Sequence, residues 1–483
     1  MGTEEPAVRG APLRLSATRN AARIPGCYDC LGPGAWTVPD RVPNILFLHV
    51  DQMHADAVSA FGSRYCATPA IDRLVADGVS FRRAYAAQPV CCPARASWFT
   101  GRTPLEHGVL TNAVPINPEL PDLGQWLREH GDYETAYAGK WHIPGRDVAD
   151  SFDYLHPGTG MGEIGDGDVG RAGAAFLRNR TSERPFFLSI GFLNPHDCCY
   201  TCGAGGGVGK FSYASSIEGE LPPLPENFDP DLPWLSDEQR GRVGHWSELD
   251  WRYYIYSCYR QTEMADAHVG LVYDALRRSR FAENTLVLFA ADHGEGMGHH
   301  GRILKNFLEE ESWRVPTIMV PPGPVRERSE EDRLVSSLDI PATICDYAGV
   351  PPLPDADVGR SLRSLAGGDP SGWRTYVFGE TEHSAAVQDG RWKAIFYPRS
   401  PTRMFDLADD PLETRNLAAS PAHKAELGRL AETLRGYVRG RAVYSRLGKD
   451  APGVDRSGQT RKERLRKARI WYESIAAGSG LTV

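Results

Sequence analysis

Several acidic, amide, imidazole and amine side chains stand where short apolar runs stop. Asp51-Gln52 follows residues 45–50, and Lys140 and His142 follow residues 134–139. His196 follows residues 185–193, and Asp292-His293 follows residues 285–291. A short apolar run ended by polar residues reads as a buried strand. Asp, Gln and His at the ends of four such strands, far apart in sequence, are what a divalent cation site needs. Hard oxygen ligands favour Ca2+ or Mg2+, with Ca2+ the leading expectation. A histidine nitrogen also admits Mn2+. A second stretch with chemical potential runs Cys91-Cys92-Pro93-Ala94-Arg95 and continues to Thr100-Gly101-Arg102.

The elements that must position these groups follow from periodicity. Strands are expected at 43–50, 134–139, 185–193, 285–291 and 315–320. Helical spacing is expected at 71–76, 123–130 and 253–278. Strands alternating with helices predict an α/β fold with a mostly parallel central sheet flanked by helices. Parallel sheets of this kind bind ligands at the carboxyl edge, where the four polar clusters would meet. From about residue 372 the pattern changes to short strands at 376–378, 385–388 and 392–397, which predict a small antiparallel sheet. A helix is expected at 422–438. The expected organisation is an irregular extension over 1–42, a catalytic α/β domain over 43–370, a C-terminal subdomain over 371–440 and a basic tail over 441–483. Residues 201–245 are rich in Gly and Pro and read as an insertion over the active face.

The stretch from Cys91 to Arg102 resembles the modification signature of the type I sulfatases, of the alkaline phosphatase superfamily. Ala94 stands where that family usually has Ser. The resemblance implies an alkaline-phosphatase-like fold. It also implies that a formylglycine-generating enzyme oxidises Cys91 to an aldehyde. Once hydrated, one hydroxyl attacks the sulfur of a sulfate monoester, and deprotonation of the other releases sulfate. Covalent catalysis thereby splits one hard step into two. Asp51, Gln52, Asp292 and His293 match the family's metal positions. Arg95, Lys140 and Lys305 match residues that hold sulfate oxygens and would stabilise developing charge. His142 matches the residue that takes the formylglycine proton, and His196, in Asn194-Pro195-His196, the one near the leaving oxygen. Met404 to Pro411 with Asn416-Leu417 resembles the closing motif of sulfatase C-terminal subdomains. The resemblance spans residues 43–440 and predicts a sulfated small molecule or carbohydrate as substrate.

Two alternatives stay open. Phosphonate monoester hydrolases carry the same Asp-Gln and Asp-His pairs, so a phosphonate monoester or phosphodiester is a rival substrate. A non-catalytic binding protein with unmodified Cys91 is the other. His54, His299, His300 and His383 read equally well as pocket lining or as loop residues.

With 483 residues, 41% of them hydrophobic, the chain has material for a large core. Its net charge of -8 argues against general binding of nucleic acid. Residues 1–20 lack the apolar stretch of a secretory signal, and no apolar run approaches membrane-spanning length. A cytoplasmic protein without membrane association is therefore expected. Among ten cysteines, Cys27 with Cys30 and Cys199 with Cys202 form two C-x-x-C pairs. They read either as the four ligands of a structural Zn2+ or as ordinary thiols. The basic run from Arg461 to Arg469 reads as a solvated helix face or a contact for an anionic partner.

Overall fold

The computed structural model describes residues 42–201, 214–324, 329–441 and 460–481. Cys27, Cys30, Cys202, the expected extension up to residue 41 and much of the expected tail lie outside the described residues. The main sheet contains β1 (Asn44–Asp51), β2 (Val79–Phe81), β4 (Glu134–Gly139), β5 (Asp153–His156), β6 (Phe186–Pro195), β7 (Thr285–Ala291), β8 (Thr317–Val320) and β9 (Ser329–Glu331). Two short strands, β3 (Ala84–Tyr85) and β10 (Val335–Ser336), pair in parallel beside it. The spatial order is β5-β4-β6-β1-β7-β8-β2-β9. Neighbours run parallel except where β8 meets β7 and β2. The sheet is mostly parallel, as expected.

The central strands show why. β1, β6 and β7 are buried at every position. Such uninterrupted apolar runs are stable only when helices cover both sheet faces. The covering helices are α1 (Pro69–Asp77), α2 (Cys91–Thr100), α3 (Leu123–Gly131), α4 (Gly162–Asn179), α5 (Glu248–Arg277) and α6 (Asp339–Ala348). Helix α4 carries five glycines, a composition with weak helix propensity that hid it from the periodicity. Tertiary packing explains them: a Cβ at Gly173 would sit 2.7 Å from Ile190 Cδ1 of β6.

The C-terminal part forms a four-stranded antiparallel sheet of β11 (Val377–Glu380), β12 (Ala385–Gln388), β13 (Trp392–Phe396) and β14 (Arg403–Asp406). Strand β14 falls within the stretch read only as a closing motif. Helix α7 (Lys424–Arg439) packs on this sheet. The basic run starts a further helix, α8 (Arg461–Ala476), which packs on α7. It is not a wholly solvated element, because Leu465, Ala468, Trp471, Tyr472 and Ile475 are buried. Among the described residues no helix is long and apolar enough to cross a membrane.

Gly139, the last residue of β4, has φ +92° and a site where a Cβ would overlap the Gly191 carbonyl oxygen. Only glycine lets β4 turn here and deliver Lys140 to the sheet edge. Gly139→Ala is expected to destabilise by about 2 kcal/mol or more. Gly428→Ala, in α7 with nothing within 4 Å of the added methyl, should be neutral or stabilising. Chemical denaturation of both variants checks this.

Candidate active site

The parallel register brings the predicted residues together. Val50 lies opposite Ala291, and Asp51 lies opposite Pro195 beyond a bulge. Asp51, Asp292 and His196 are therefore delivered to one edge by adjacent strands. Lys140 arrives from β4, the next strand beyond β6. Helix α2 starts at the same edge with Cys91 in its first turn, and all ten of its residues are buried. Gly294 follows because a Cβ there would overlap the Glu311 carbonyl oxygen.

Asp51 is the hub. Its carboxylate lies 2.6 Å from Lys140 Nζ, 3.3 Å from Arg95 Nη2 and 3.8 Å from Lys305 Nζ. Arg95 Nε also bonds Asp292 Oδ2 at 3.0 Å, so one guanidinium bridges both carboxylates. Its Nη1 donates to the Lys140 carbonyl at 2.7 Å. Cys91 Sγ lies 3.1 Å from Lys305 Nζ, 3.2 Å from His293 Nε2 and 3.6 Å from Asp51 Oδ1. Ligand atoms of Asp51, Cys91, Asp292 and His293 all fall within 4.8 Å of one another, and all four residues are buried.

The electrostatics follow from burial and sign. Burial raises the Asp51 carboxyl, but Lys140 and Lys305 outweigh it and hold Asp51 well below the ordinary range. Burial and the Asp51 charge push Asp292 above its ordinary value. Burial and Asp51 also raise the Cys91 thiol, yet Lys140, Lys305 and His293 hold it well below the ordinary thiol value. Cys92 differs: burial pushes it up to about 12, and its backbone N–H donates to Asn112 Oδ1.

A divalent cation fits this donor set. Two buried carboxylates face each other, and the raised Asp292 marks unmet demand for positive charge. His293 Nδ1 donates to the Gly294 carbonyl at 2.9 Å, which leaves the Nε2 lone pair turned to Cys91 Sγ at 3.2 Å with Asp292 and Asp51 at 3.5 and 3.8 Å. Gln52 turns its carbonyl oxygen to Lys305 and its amide nitrogen to Glu295. Glu295 is fully buried and also accepts from the Tyr254 hydroxyl and the Leu304 N–H. Gln52, Leu304 and Asn306 adopt left-handed φ of 69°, 66° and 75°, strain of the kind that clusters at functional sites.

The remaining expectations divide. His196 is half-buried at the end of β6, and its Nδ1 has no hydrogen-bond partner among the described residues. Asp166 of α4 holds that strand end by accepting from the Leu193 and Asn194 N–H groups, both at 2.8 Å. No sequence signal marked Asp166. His142 is exposed with φ 56°, and its ring makes no hydrogen bond to Cys91. Cys199 is buried with Sγ 3.2 Å from Gln52 Nε2, and no disulfide joins cysteines among the described residues. His54 and His299 stack at 5.1 Å beside a cavity of about 450 Å³.

The family now follows. A sulfatase family model matches residues 43–350, and a model described as N-sulphoglucosamine sulphohydrolase, C-terminal, matches residues 298–439. The Delta 4,5-hexuronate-2-O-sulfatase of Bacteroides thetaiotaomicron is 30% identical over 86% of this chain and 93% of its own. The structure of a 2-O GAG sulfatase superposes with TM-score 0.73 at 27% identity, over 82% of this chain and 92% of that one. A phosphonate monoester hydrolase of Agrobacterium radiobacter shares the fold, with TM-score 0.67 at 24% identity over 82% of this chain and 95% of that one. The chain belongs to the sulfatase family, in the alkaline phosphatase superfamily, and is a sulfuric ester hydrolase. Membership implies a divalent metal and a formylglycine.

The loop that carries Lys305 is pinned by His300. Its Nδ1 meets Glu311 Oε1 at 2.9 Å and its Nε2 meets the Glu413 carbonyl at 3.2 Å. Burial opposes the charge on His300, but Glu311 lifts its pKa from 6.5 to about 9. A raised folded-state pKa contributes stability in full below 6.5 and loses it as pH rises through about 9. His300→Gln should therefore lower the thermal midpoint most near pH 6, with the gap to the parent closing by pH 10. Paired thermal melts across that range check it.

Proposed function

We propose that this chain hydrolyses a sulfate monoester, borne by a carbohydrate, through a formylglycine made from Cys91. The observation that carries the reading is the setting of Cys91. It opens a buried helix with two lysines, an imidazole and two carboxylates converging on its side chain. A thiol serving only as core packing has no need of such surroundings, as Cys92 illustrates.

Asp51, Gln52, Asp292 and His293 would hold the cation, which when bound supplies Lewis acidity toward the sulfate and a fixed template. The hydrated aldehyde of residue 91 supplies an oxygen nucleophile whose second hydroxyl, once deprotonated, expels sulfate. Lys140 and Lys305 bind the sulfate oxygens as charge builds in the transition state. Arg95 bridges Asp51 and Asp292 and holds both carboxylates in place. His196 serves the leaving oxygen, and its unpartnered Nδ1 leaves it without a competing structural bond. His142 would have to turn inward from its exposed position to receive the proton of the residue-91 hydroxyl, the role its place in the family pattern gives it. Glu295 accepts from the Gln52 amide nitrogen and so turns its carbonyl oxygen toward Lys305, beside the cation site. The carbohydrate class rests on likeness to the hexuronate sulfatase.

Mass spectrometry of the peptide containing residue 91 should show the aldehyde at Cys91 and an intact thiol at Cys92. Cys91→Ala should abolish sulfate-ester turnover, whereas Cys92→Ala should keep most of it. Full activity in Cys91→Ala overturns the mechanism. Parallel rates on an aryl sulfate and a phosphonate monoester decide between the sulfate reading and its phosphorus rival.

Chelation should remove activity, and Asp292→Ala should mimic it. Glu295→Gln should weaken divalent-cation affinity by about 10- to 100-fold, the usual effect of losing a partner that orients a ligand. Calorimetric titration with Ca2+ measures that loss independently of turnover.

A further inference from the structure

A cavity of about 700 Å³ lies between α8, the turn from β11 to β12 and the loop after β13. Arg399, Arg464 and Lys467 line it, and among the described lining residues Glu382 is the one carboxylate, paired with Arg464 at 3.2 Å. Tyr397 and Trp471 give it aromatic surface, and Ile470 adds an apolar side chain that is 51% exposed. Cationic groups beside aromatic and apolar faces match an acidic sugar: oxyanions for the cations, a C–H face for the rings.

The cavity is fastened to the catalytic centre. The Tyr472 hydroxyl of α8 lies 2.9 Å from the Thr381 carbonyl and 3.0 Å from the Ser384 carbonyl, and accepts from the Thr381 N–H at 3.2 Å. These contacts fix the β11–β12 turn, whose His383 lines the cavity and bonds the backbone of Asn306. Asn306 is the residue after Lys305, whose Nζ touches Cys91 Sγ. Counting one lysine side chain and Cα steps of about 3.8 Å, the cavity wall lies no more than about 20 Å from the nucleophile. Asn306 Oδ1 is buried without a partner among the described residues. Helix α8 begins beyond residue 439, where the family match ends.

We propose that this cavity is a specificity subsite for a second anionic group of the substrate, either the carboxylate of the sugar that loses its sulfate or a sulfate on the sugar next to it. The proposal rests on the sulfatase reading above and narrows its substrate to an acidic oligosaccharide. The cavity contributes binding energy that is equal in the ground and transition states, so its loss raises KM and spares kcat.

The test uses the full chain with three substrates: 4-nitrophenyl sulfate, a 2-O-sulfated unsaturated uronate–glucosamine disaccharide, and the same disaccharide with a second sulfate on the glucosamine. Arg399→Ala and Lys467→Ala should each raise KM for a disaccharide about tenfold, the equivalent of one lost charged contact of about 1.4 kcal/mol. kcat, and KM for 4-nitrophenyl sulfate, should stay within about twofold. Arg399→Lys should recover most of the loss. An effect confined to the disulfated sugar assigns the site to sulfate, and an effect on both assigns it to the carboxylate. Equal changes on all three substrates, or none on the disaccharides, overturn the proposal. If the parent turns over none of the three, the sulfatase reading fails separately. Calorimetric titration of the disulfated sugar into parent and variants then decides the subsite: weaker binding in the variants supports it, and equal binding overturns it.

Discussion

The site depends on one buried carboxylate. Asp51 has no exposure and meets Arg95, Lys140 and Lys305 within 4.0 Å. An isolated carboxylate could not stay ionised there, because burial alone costs several kcal/mol. Three cations from three distant segments compensate it, and each is in turn held by that charge. The arrangement commits β1, α2, β4 and the loop after β7 to a single geometry. Asp292 adds a second buried negative charge that Arg95 only partly answers, which leaves the demand a divalent ion would meet.

The cysteine inherits this environment. Its thiol sits where two lysines outweigh burial and Asp51, so its conversion to an oxygen nucleophile would place that oxygen among the same cations. Cys92, one residue on, points to packing instead. The contrast between adjacent residues of one helix shows how much of the chemistry is positional: identical side chains differ because only one faces the sheet edge.

Around this core the chain builds supports with no direct reach to the residue-91 side chain. Asp166 pins the end of the strand that carries His196. Glu295 holds Gln52, and His300 ties the Lys305 loop to Glu311 and the C-terminal part. Helix α8 extends the same logic outward. Its Tyr472 fixes the turn that touches the Lys305 segment, so a basic stretch remote in sequence is tied by contacts to the site.

The central strands were legible in the sequence, and so were the residues that the folded chain gathers around Cys91: Asp51, Arg95, Lys140, Asp292, His293 and Lys305. Buried parallel strands are continuous apolar runs, and polar residues at their ends announce themselves by contrast. The Cys91 pattern is local, so its resemblance needed no tertiary information. Helix α4 was not legible, because its glycines answer to the close approach of β6 and α5 rather than to helix propensity. Asp166 and Glu295 were not legible either, since a carboxylate that accepts from distant backbone or amide groups looks like any surface acid until the chain is folded. The basic run of α8 could be read only by charge, whereas its buried stripe depends on what packs against it. Residue types and their order along the strands were therefore the sequence's own. Which charges compensate which, and which acids are buried, was decided by the tertiary structure, because those energies depend on distances between segments that are hundreds of residues apart.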